Sequence, residues 1–381
     1  MKLPFLSQEH ELIREQMARF VDREIRPNGP TWEEQGFVPR EALRRLGELG
    51  MFGMRYPSRF GGAELGALAT VVYGEELGRS SFGGFNATAS VHSDMASPHL
   101  AHAGSEEQLE RYMPRIIAGE LITAVAVTEA GSGSDVASMR TTARRDGNEW
   151  VLNGSKMFIT NGIHADLFFV AAKTDREAKG SRGISMFIVE KGTPGFSAAR
   201  PLKKFGWRSS DTAELVFEDC RLPADALLGE ENKGFYAVMQ NFQNERLVIA
   251  AMAVGESLHA LDLTRRYVKD RPAFGGTLWD KQTIRQRLSM LDAKVQAARA
   301  FTYQTAWAQE QGVDTVREVS MLKALTGELV NEVMYTCQQF HGGFGYIQDS
   351  DIERMVRDAR IMSIGGGATE VMLEEVAKRY A

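Results

Sequence analysis

The sequence predicts an α+β multidomain fold: a helical domain over residues 1–120, a β domain over 121–230 and a helical bundle over 231–381. Three observations predict it. Apolar residues recur at helical spacing through the first third of the chain. The middle switches to short apolar or alternating runs punctuated by Gly and Pro, the pattern of strands. Beyond Lys233 helical spacing returns, in segments long enough to pack along one another.

Leu12, Ile13, Met17, Phe20 and Val21 share one face of a helix expected over 7–25, with Ser7 at the cap position. A second helix is expected over 40–49, stopped by Gly50, and a third over 67–77. Glu75 and Glu76 are read as its solvated face. Ser105 and Gln108 form a capping box ahead of Leu109, Met113, Ile116 and Ile117. At 121–127, LITAVAV reads as a buried strand. Asp146-Gly147 and Asn153-Gly154 both read as hairpin turns. ADLFFVAA, GISMFIVE and AELVFED supply further strands, and no strand signal follows Lys233. Helices are expected over 235–271, ending before Pro272, and over 281–311, 315–340, 352–361 and 369–380.

A chain of 381 residues corresponds to two or three domains. It can bury a large core without disulfides. Its net charge of -5, with no basic stripe, argues against a nucleic-acid protein. Cys220 and Cys337 lie too far apart in sequence to suggest a disulfide framework or a metal site. No secretory pattern opens the chain and no apolar run approaches a membrane span, so a cytoplasmic protein without membrane association is expected.

Nucleophile elbows, zinc motifs and P-loops are missing from the sequence. GSGSDV at 131–136 and HGGFGY at 341–346 depart from the G-x-G-x-x-G spacing, so a Rossmann site is unsupported. Such loops are either tight turns or places where backbone N–H groups approach phosphate. The residue most at odds with its surroundings is Glu245. Its helical neighbours are Asn241, Phe242, Val248, Ile249 and Met252, mostly apolar. A carboxylate there is either paired with an Arg from another helix or desolvated, and a desolvated one suits removal of a carbon-bound proton. His341 reads as a core histidine. His92, His99 and His102 lack the companions of a metal site, so none is expected. Phe158 and Trp207 are either core aromatics or rings that stack on a ligand.

Six segments in order resemble the acyl-CoA dehydrogenase family over essentially the whole chain. They are YPSRFGGAELG at 56–66, AVTEAGSGSDVASMRTTA at 126–143, LNGSKMFITNG at 152–162, DRPAFG at 270–275, QFHGGFGY at 339–346 and DARIMSIGGGATEVM at 358–372. The resemblance implies N-terminal helices, a central β domain and a C-terminal four-helix bundle. It also implies FAD, an acyl-CoA substrate, an electron-transfer flavoprotein as acceptor and a homotetramer.

Position by position, the resemblance assigns Val125, Val127, Thr128 and Ser134 to the loop beside the flavin, with Phe158 and Thr160 covering its ring. Arg271, Phe274, Gln282, Gln339, Gly342 and Gly343 match residues that hold the pyrophosphate and adenosine, partly from a neighbouring subunit. Thr369 and Glu370 complete the cofactor set. Ala368 stands where many members carry a cofactor-bonding Thr, and Gly276 where many carry a Lys. Gly366 occupies the position of the base in many members, so that base is missing. In the isovaleryl and long-chain branch the base lies on the long helix, and NERL at 244–247 matches it with Glu245. Phe242, Arg246, Ser134, Gly366 and Gly367 then match positions near the substrate. The expected reaction is α,β-dehydrogenation of a medium, long or branched acyl-CoA to the trans-2-enoyl-CoA. Alternatives are a carrier-protein thioester as substrate, a flavin oxidase of the same fold, or a non-catalytic flavoprotein.

Overall fold

The computed structural model describes residues 5–380 apart from Lys179 and Ser181. The extreme termini assigned to the outer domains lie outside the described residues. The chain opens with α1 (Gln8–Phe20), α2 (Arg26–Gln35), α3 (Arg40–Glu48), α4 (Ala67–Gly78), α5 (Gly83–Ser90), α6 (Ser97–Ala103) and α7 (Glu106–Ile117). The helix expected over 7–25 is α1 continued by a wider π-helical turn at Val21–Ile25. A second π turn, Val91–Ala96, leads into α6. The capping box at α7 forms: Gln108 N–H donates to Ser105 Oγ at 3.3 Å and Ser105 N–H to Gln108 Oε1 at 3.0 Å.

The α4 carboxylates correct the sequence reading. Glu75 and Glu76 are 2% and 6% exposed, not solvated. Arg14 of α1 and Arg299 from the C-terminal region both bond Glu75, at 2.9 and 2.7 Å. A buried carboxylate is tolerable with two guanidinium partners.

The sheet comprises β1 (Thr123–Ala126), β2 (Thr142–Asp146), β3 (Glu149–Thr160), β4 (Leu167–Lys173), β5 (Ile184–Glu190), β6 (Phe196–Pro201), β7 (Thr212–Pro223) and β8 (Leu227–Leu228). Its order is β6-β7-β3-β2-β4-β5-β8, with β1 parallel to β4. Asp146-Gly147 makes the expected hairpin between β2 and β3. Asn153-Gly154 does not turn. It lies inside β3 at a register shift against β7, where Gly154 takes φ +141° and a Cβ would meet Thr141 Cα at 2.7 Å. The extra residue of that shift lies on β7, where Glu218 and Asp219 stand opposite Asn153, and the glycine serves the close backbone approach. In β4, Phe168, Val170 and Ala172 join one core cluster while Leu167, Phe169 and Ala171 join another. Both faces are covered, which is why the strand reads as one apolar run.

The bundle consists of α8 (Gly234–Asp270), α9 (Gln282–Glu310), α10 (Val316–His341), α11 (Asp351–Ala359) and α12 (Thr369–Ala377). A small hairpin, β9 (Pro272–Ala273) and β10 (Gly276–Thr277), interrupts it, contrary to the expectation of no strands. Two-residue strands are too short to leave an alternating pattern. Phe274 and Gly275 turn the hairpin at φ +51° and +79°, as a tight two-residue turn demands. By length and composition α8 resembles a membrane span, but 89% of its apolar window is buried within the protein. That apolarity goes to the core, chiefly against α10 and α4.

Candidate active site

Glu245 lies in the first third of α8 and is 7% exposed. Burial pushes its carboxyl up to about 8, opposed by the nearby Arg246 charge and by Asn241. Asn241 Nδ2 donates to Glu245 Oε1 at 3.1 Å. No salt bridge reaches Glu245 among the described residues, so the paired-ion reading of the sequence does not hold. Arg246 itself is 8% exposed and lies over the Phe242 ring, 5.3 Å from its centroid.

One turn beyond Glu245, Ile249 meets the glycine loop between α11 and α12. A Cβ on Gly366 would stand 2.3 Å from Ile249 Cδ1, and Gly366 takes φ +64°. A larger residue at 366 therefore conflicts with this helix face. The Gly365 N–H donates to Ile361 O at 2.8 Å, whereas the Gly366 N–H has no acceptor among the described residues. The loop places an unused donor beside the face that carries the carboxylate. Lys323 of α10 donates to the Gly367 carbonyl and is fully buried.

The β domain supplies a second wall. Val125 and Val127 belong to one apolar cluster with Val238, Met239 and Phe242 of α8. The Thr128 carbonyl accepts from Met157 N–H at 2.9 Å. Lys156 Nζ donates to Val127 O at 3.0 Å and to Glu129 Oε1 at 2.9 Å, clamping the loop after β1 onto β3. Immediately beyond, β3 bulges between Lys156 and Ile159. Phe158 is thrown out at φ +62° with its ring 65% exposed, not packed in a core. Thr160 is half-buried and Ser134 exposed on the loop after β1. Trp207 also adopts positive φ, at +52°, but its backbone N–H is tied to Asp358 Oδ1 at 2.6 Å.

The remaining predicted cofactor residues gather elsewhere. Arg271 caps α8, Phe274 tips the β9–β10 hairpin at 92% exposure, and Gln282 opens α9. Gln339, Gly342 and Gly343 lie at the end of α10, where Tyr267 of α8 stacks on His341 with centroids 4.3 Å apart. A Cβ on either glycine would meet nothing within 4 Å, leaving open backbone for a ligand. Arg271 follows Glu245 by 26 residues, which along a helix is about 39 Å. One chain therefore does not bring the two groups together. Thr369 and Glu370 line a surface cavity of about 280 Å³ with Arg360 and Asn331, and the Thr369 hydroxyl donates to Glu328 at 2.8 Å.

His92 and His341 are satisfied core residues, bonded to Thr123 and Ile116 O, and to Cys337 O. Among the described residues no three His, Cys, Asp or Glu side chains converge as metal ligands. The sequence reading missed Lys156, Lys323 and Asn241. Lys323 was findable by the argument used for Glu245: Val319, Thr326 and Val330 share its helix face.

Three family profiles match in series: the acyl-CoA dehydrogenase N-terminal domain over residues 7–120, its middle domain over 124–220 and its C-terminal domain over 232–381. Fold and profiles together define a three-domain flavin-dependent oxidoreductase. The chain belongs to the acyl-CoA dehydrogenase family. It is 43% identical over 374 residues to the mitochondrial long-chain specific acyl-CoA dehydrogenase of Mus musculus, covering 98% of this chain and 86% of the relative. The isovaleryl-CoA dehydrogenase of Pongo abelii is 39% identical, covering 96% of this chain and 87% of the relative. The crystal structure of an acyl-CoA dehydrogenase from Geobacillus kaustophilus superposes with a TM-score of 0.95 at 40% identity, covering 100% of both chains. FAD is the family's cofactor, and solved relatives include FAD complexes. The open Phe158 ring and the unfilled backbone at Gly342 and Gly343 fit such a group.

Proposed function

We propose that the chain oxidises a saturated acyl-CoA thioester to the trans-2-enoyl-CoA, with Glu245 as the base. The observation that carries this reading is a buried carboxylate, without an ion-pair partner among the described residues, on the α8 face that also meets Gly366, whose N–H is likewise unused among them. Bound FAD supplies the acceptor for the hydride that leaves the β-carbon. Glu245 takes the α-proton onto a carboxylate oxygen, and its raised proton affinity suits it to a weak carbon acid. The Gly366 N–H donates to the thioester oxygen as negative charge develops there. Arg246, Ser134, Phe242 and Gly367 lie toward the CoA and acyl portions. Val125, Val127, Thr128, Phe158 and Thr160 hold the flavin ring.

Arg271, Phe274, Gln282, Gln339, Gly342 and Gly343 serve the cofactor of a neighbouring subunit, with Thr369 and Glu370 near its own. Two features support this sharing: the ~39 Å along α8, and the exposure of Phe274. The assembly is a cytoplasmic homotetramer, and reduced flavin passes its electrons to an electron-transfer flavoprotein. Ile249 Cδ1 takes the place a side chain at 366 would occupy, an apolar neighbour instead of a carboxylate, which favours long or branched acyl groups. This agrees with the long-chain and isovaleryl relatives.

The test is anaerobic bleaching of the purified holoprotein by a panel of straight and branched acyl-CoA esters and one acyl-carrier-protein thioester. Fast bleaching by long or branched CoA esters is expected, abolished in Glu245→Gln with FAD still bound. Bleaching at the wild-type rate in that variant would remove Glu245 from the chemistry. Hydrogen peroxide released without an added acceptor would point to an oxidase instead.

A further inference from the structure

Glu245 does not stand alone on its helix face. Behind it a polar bracket joins α8 to the N-terminal helices. The π turn at Val91–Ala96 runs into Pro98, which has no N–H to give the Asp94 carbonyl one helical turn back. That carbonyl is bonded from α8 instead, by Asn244 Nδ2 at 2.9 Å. Asn244 Oδ1 in turn accepts from Arg55. The next carbonyl, Met95 O, accepts from Asn241 Nδ2 at 2.8 Å, and the same amide nitrogen donates to Glu245 Oε1.

The amide orientation follows from its surroundings. Its NH2 faces Met95 O and a carboxylate oxygen, both acceptors, so turning it over would set oxygen against oxygen. Asn241 Oδ1 is left buried with no partner among the described residues. An unpartnered amide oxygen is a stability cost that a leucine at this 1% exposed position would avoid. Packing therefore does not account for an asparagine here, whereas a link from a fixed carbonyl to the carboxylate does.

We propose that Asn241 is the positioning residue of the reaction, fixing the Glu245 carboxylate against the carbonyl at the end of the π turn. The proposal rests on Glu245 being the base. A donor to the carboxylate favours its ionised, reactive form, and opposes the upward push of burial. The other charges around the bracket are Arg246 on the same helix, Arg55 and Asp94 from the N-terminal side, Lys323 on α10, and Glu375 and Arg379 on the α12 side. None of them bonds the Glu245 carboxylate among the described residues, which leaves Asn241 as its side-chain donor.

The experiment is the pH profile of anaerobic FAD bleaching in the holoenzyme, with palmitoyl-CoA and isovaleryl-CoA as probes. Asn241→Leu removes the donor at similar volume, Asn241→Asp keeps the shape but replaces donor by carboxyl, and Asn241→Gln retains a donor. Leu is expected to move the acid limb up by about one pH unit, a roughly tenfold loss well below the limb with the alkaline plateau kept near wild type. Asp couples two carboxyls that share a proton, so it splits the single limb into two steps, one below and one above the wild-type limb, and Gln returns it toward wild type. A rate that falls by one factor at every pH in both Leu and Asp would overturn the proposal and mark Asn241 as structural. Asp, the isosteric variant, decides the matter alone should Leu lose its flavin. Glu245→Gln is run alongside. Its loss of bleaching shows that the base reading stands whatever Asn241 does, and its bleaching at the wild-type rate overturns both.

Discussion

Glu245→Gln should make the protein more stable as it makes it inactive, and only above acidic pH. The wild-type carboxyl has an ordinary value of 4.5 and is pushed up to about 8 by burial. Native protein therefore holds a proton that the unfolded chain releases between these values. The stability associated with this group is fully present below pH 4.5 and is lost as pH rises to 8. A difference of 3.5 units at ~1.36 kcal/mol each sets a limit of about 5 kcal/mol, of which about 4 kcal/mol falls between pH 5 and pH 9. Gln keeps the size and the hydrogen-bonding capacity but cannot ionise, so it does not suffer the loss. The assay is urea unfolding of wild-type and variant holoprotein at pH 5 and pH 9, followed by far-UV circular dichroism. Near-equal stability at pH 5 and a clear advantage for the variant at pH 9 are expected. A difference of less than ~1 kcal/mol between the two pH values would refute the argument, because it would mean that the carboxylate is solvated or paired in solution.

Gly366→Ala should drive its methyl group into Ile249 and displace the unused N–H. A loss of about 10²-fold in anaerobic bleaching with unchanged FAD content is expected, partly recovered when Ile249→Ala is added. Phe158→Ala should leave unfolding stability within about 0.5 kcal/mol, because the ring is 65% exposed. Equilibrium dialysis should nevertheless show FAD held up to about tenfold more weakly. Glu75→Ala leaves the half-buried Arg299 without a carboxylate while Arg14 keeps Glu76, and denaturant unfolding should record a loss of about 1–3 kcal/mol.

Where the sequence was legible, the reason was local. The helices announced themselves by apolar period, and the Asp146-Gly147 turn by its dipeptide. Glu245 stood out because a charge interrupts an apolar helix face, a property carried by its own neighbours. What escaped was set by distant partners. Glu75 looked solvated beside another Glu because its guanidiniums come from Arg14 and Arg299, on two other helices. Asn153-Gly154 carried the same turn signal as Asp146-Gly147, yet β3 runs on through it, since β7 pairs along most of the strand and itself bulges opposite Asn153. Asn241 looked like a neutral polar residue, and its acceptor at Met95 lies 146 positions away. The cofactor residues beyond Arg271 came from resemblance alone, because nothing in their spacing marks them as ligands.

The length of α8 has a consequence for experiments with mixed chains. If each catalytic centre draws its base from one protomer and its distal cofactor contacts from another, two dead variants can complement. Glu245→Gln spoils only centres that use its own base, and Arg271→Ala only those reached by its own far end. Random mixing in a two-chain unit pairs unlike chains about half the time, and one of the two centres in such a pair is intact. About a quarter of wild-type activity should then emerge from two inactive preparations after they are dissociated together and reassembled.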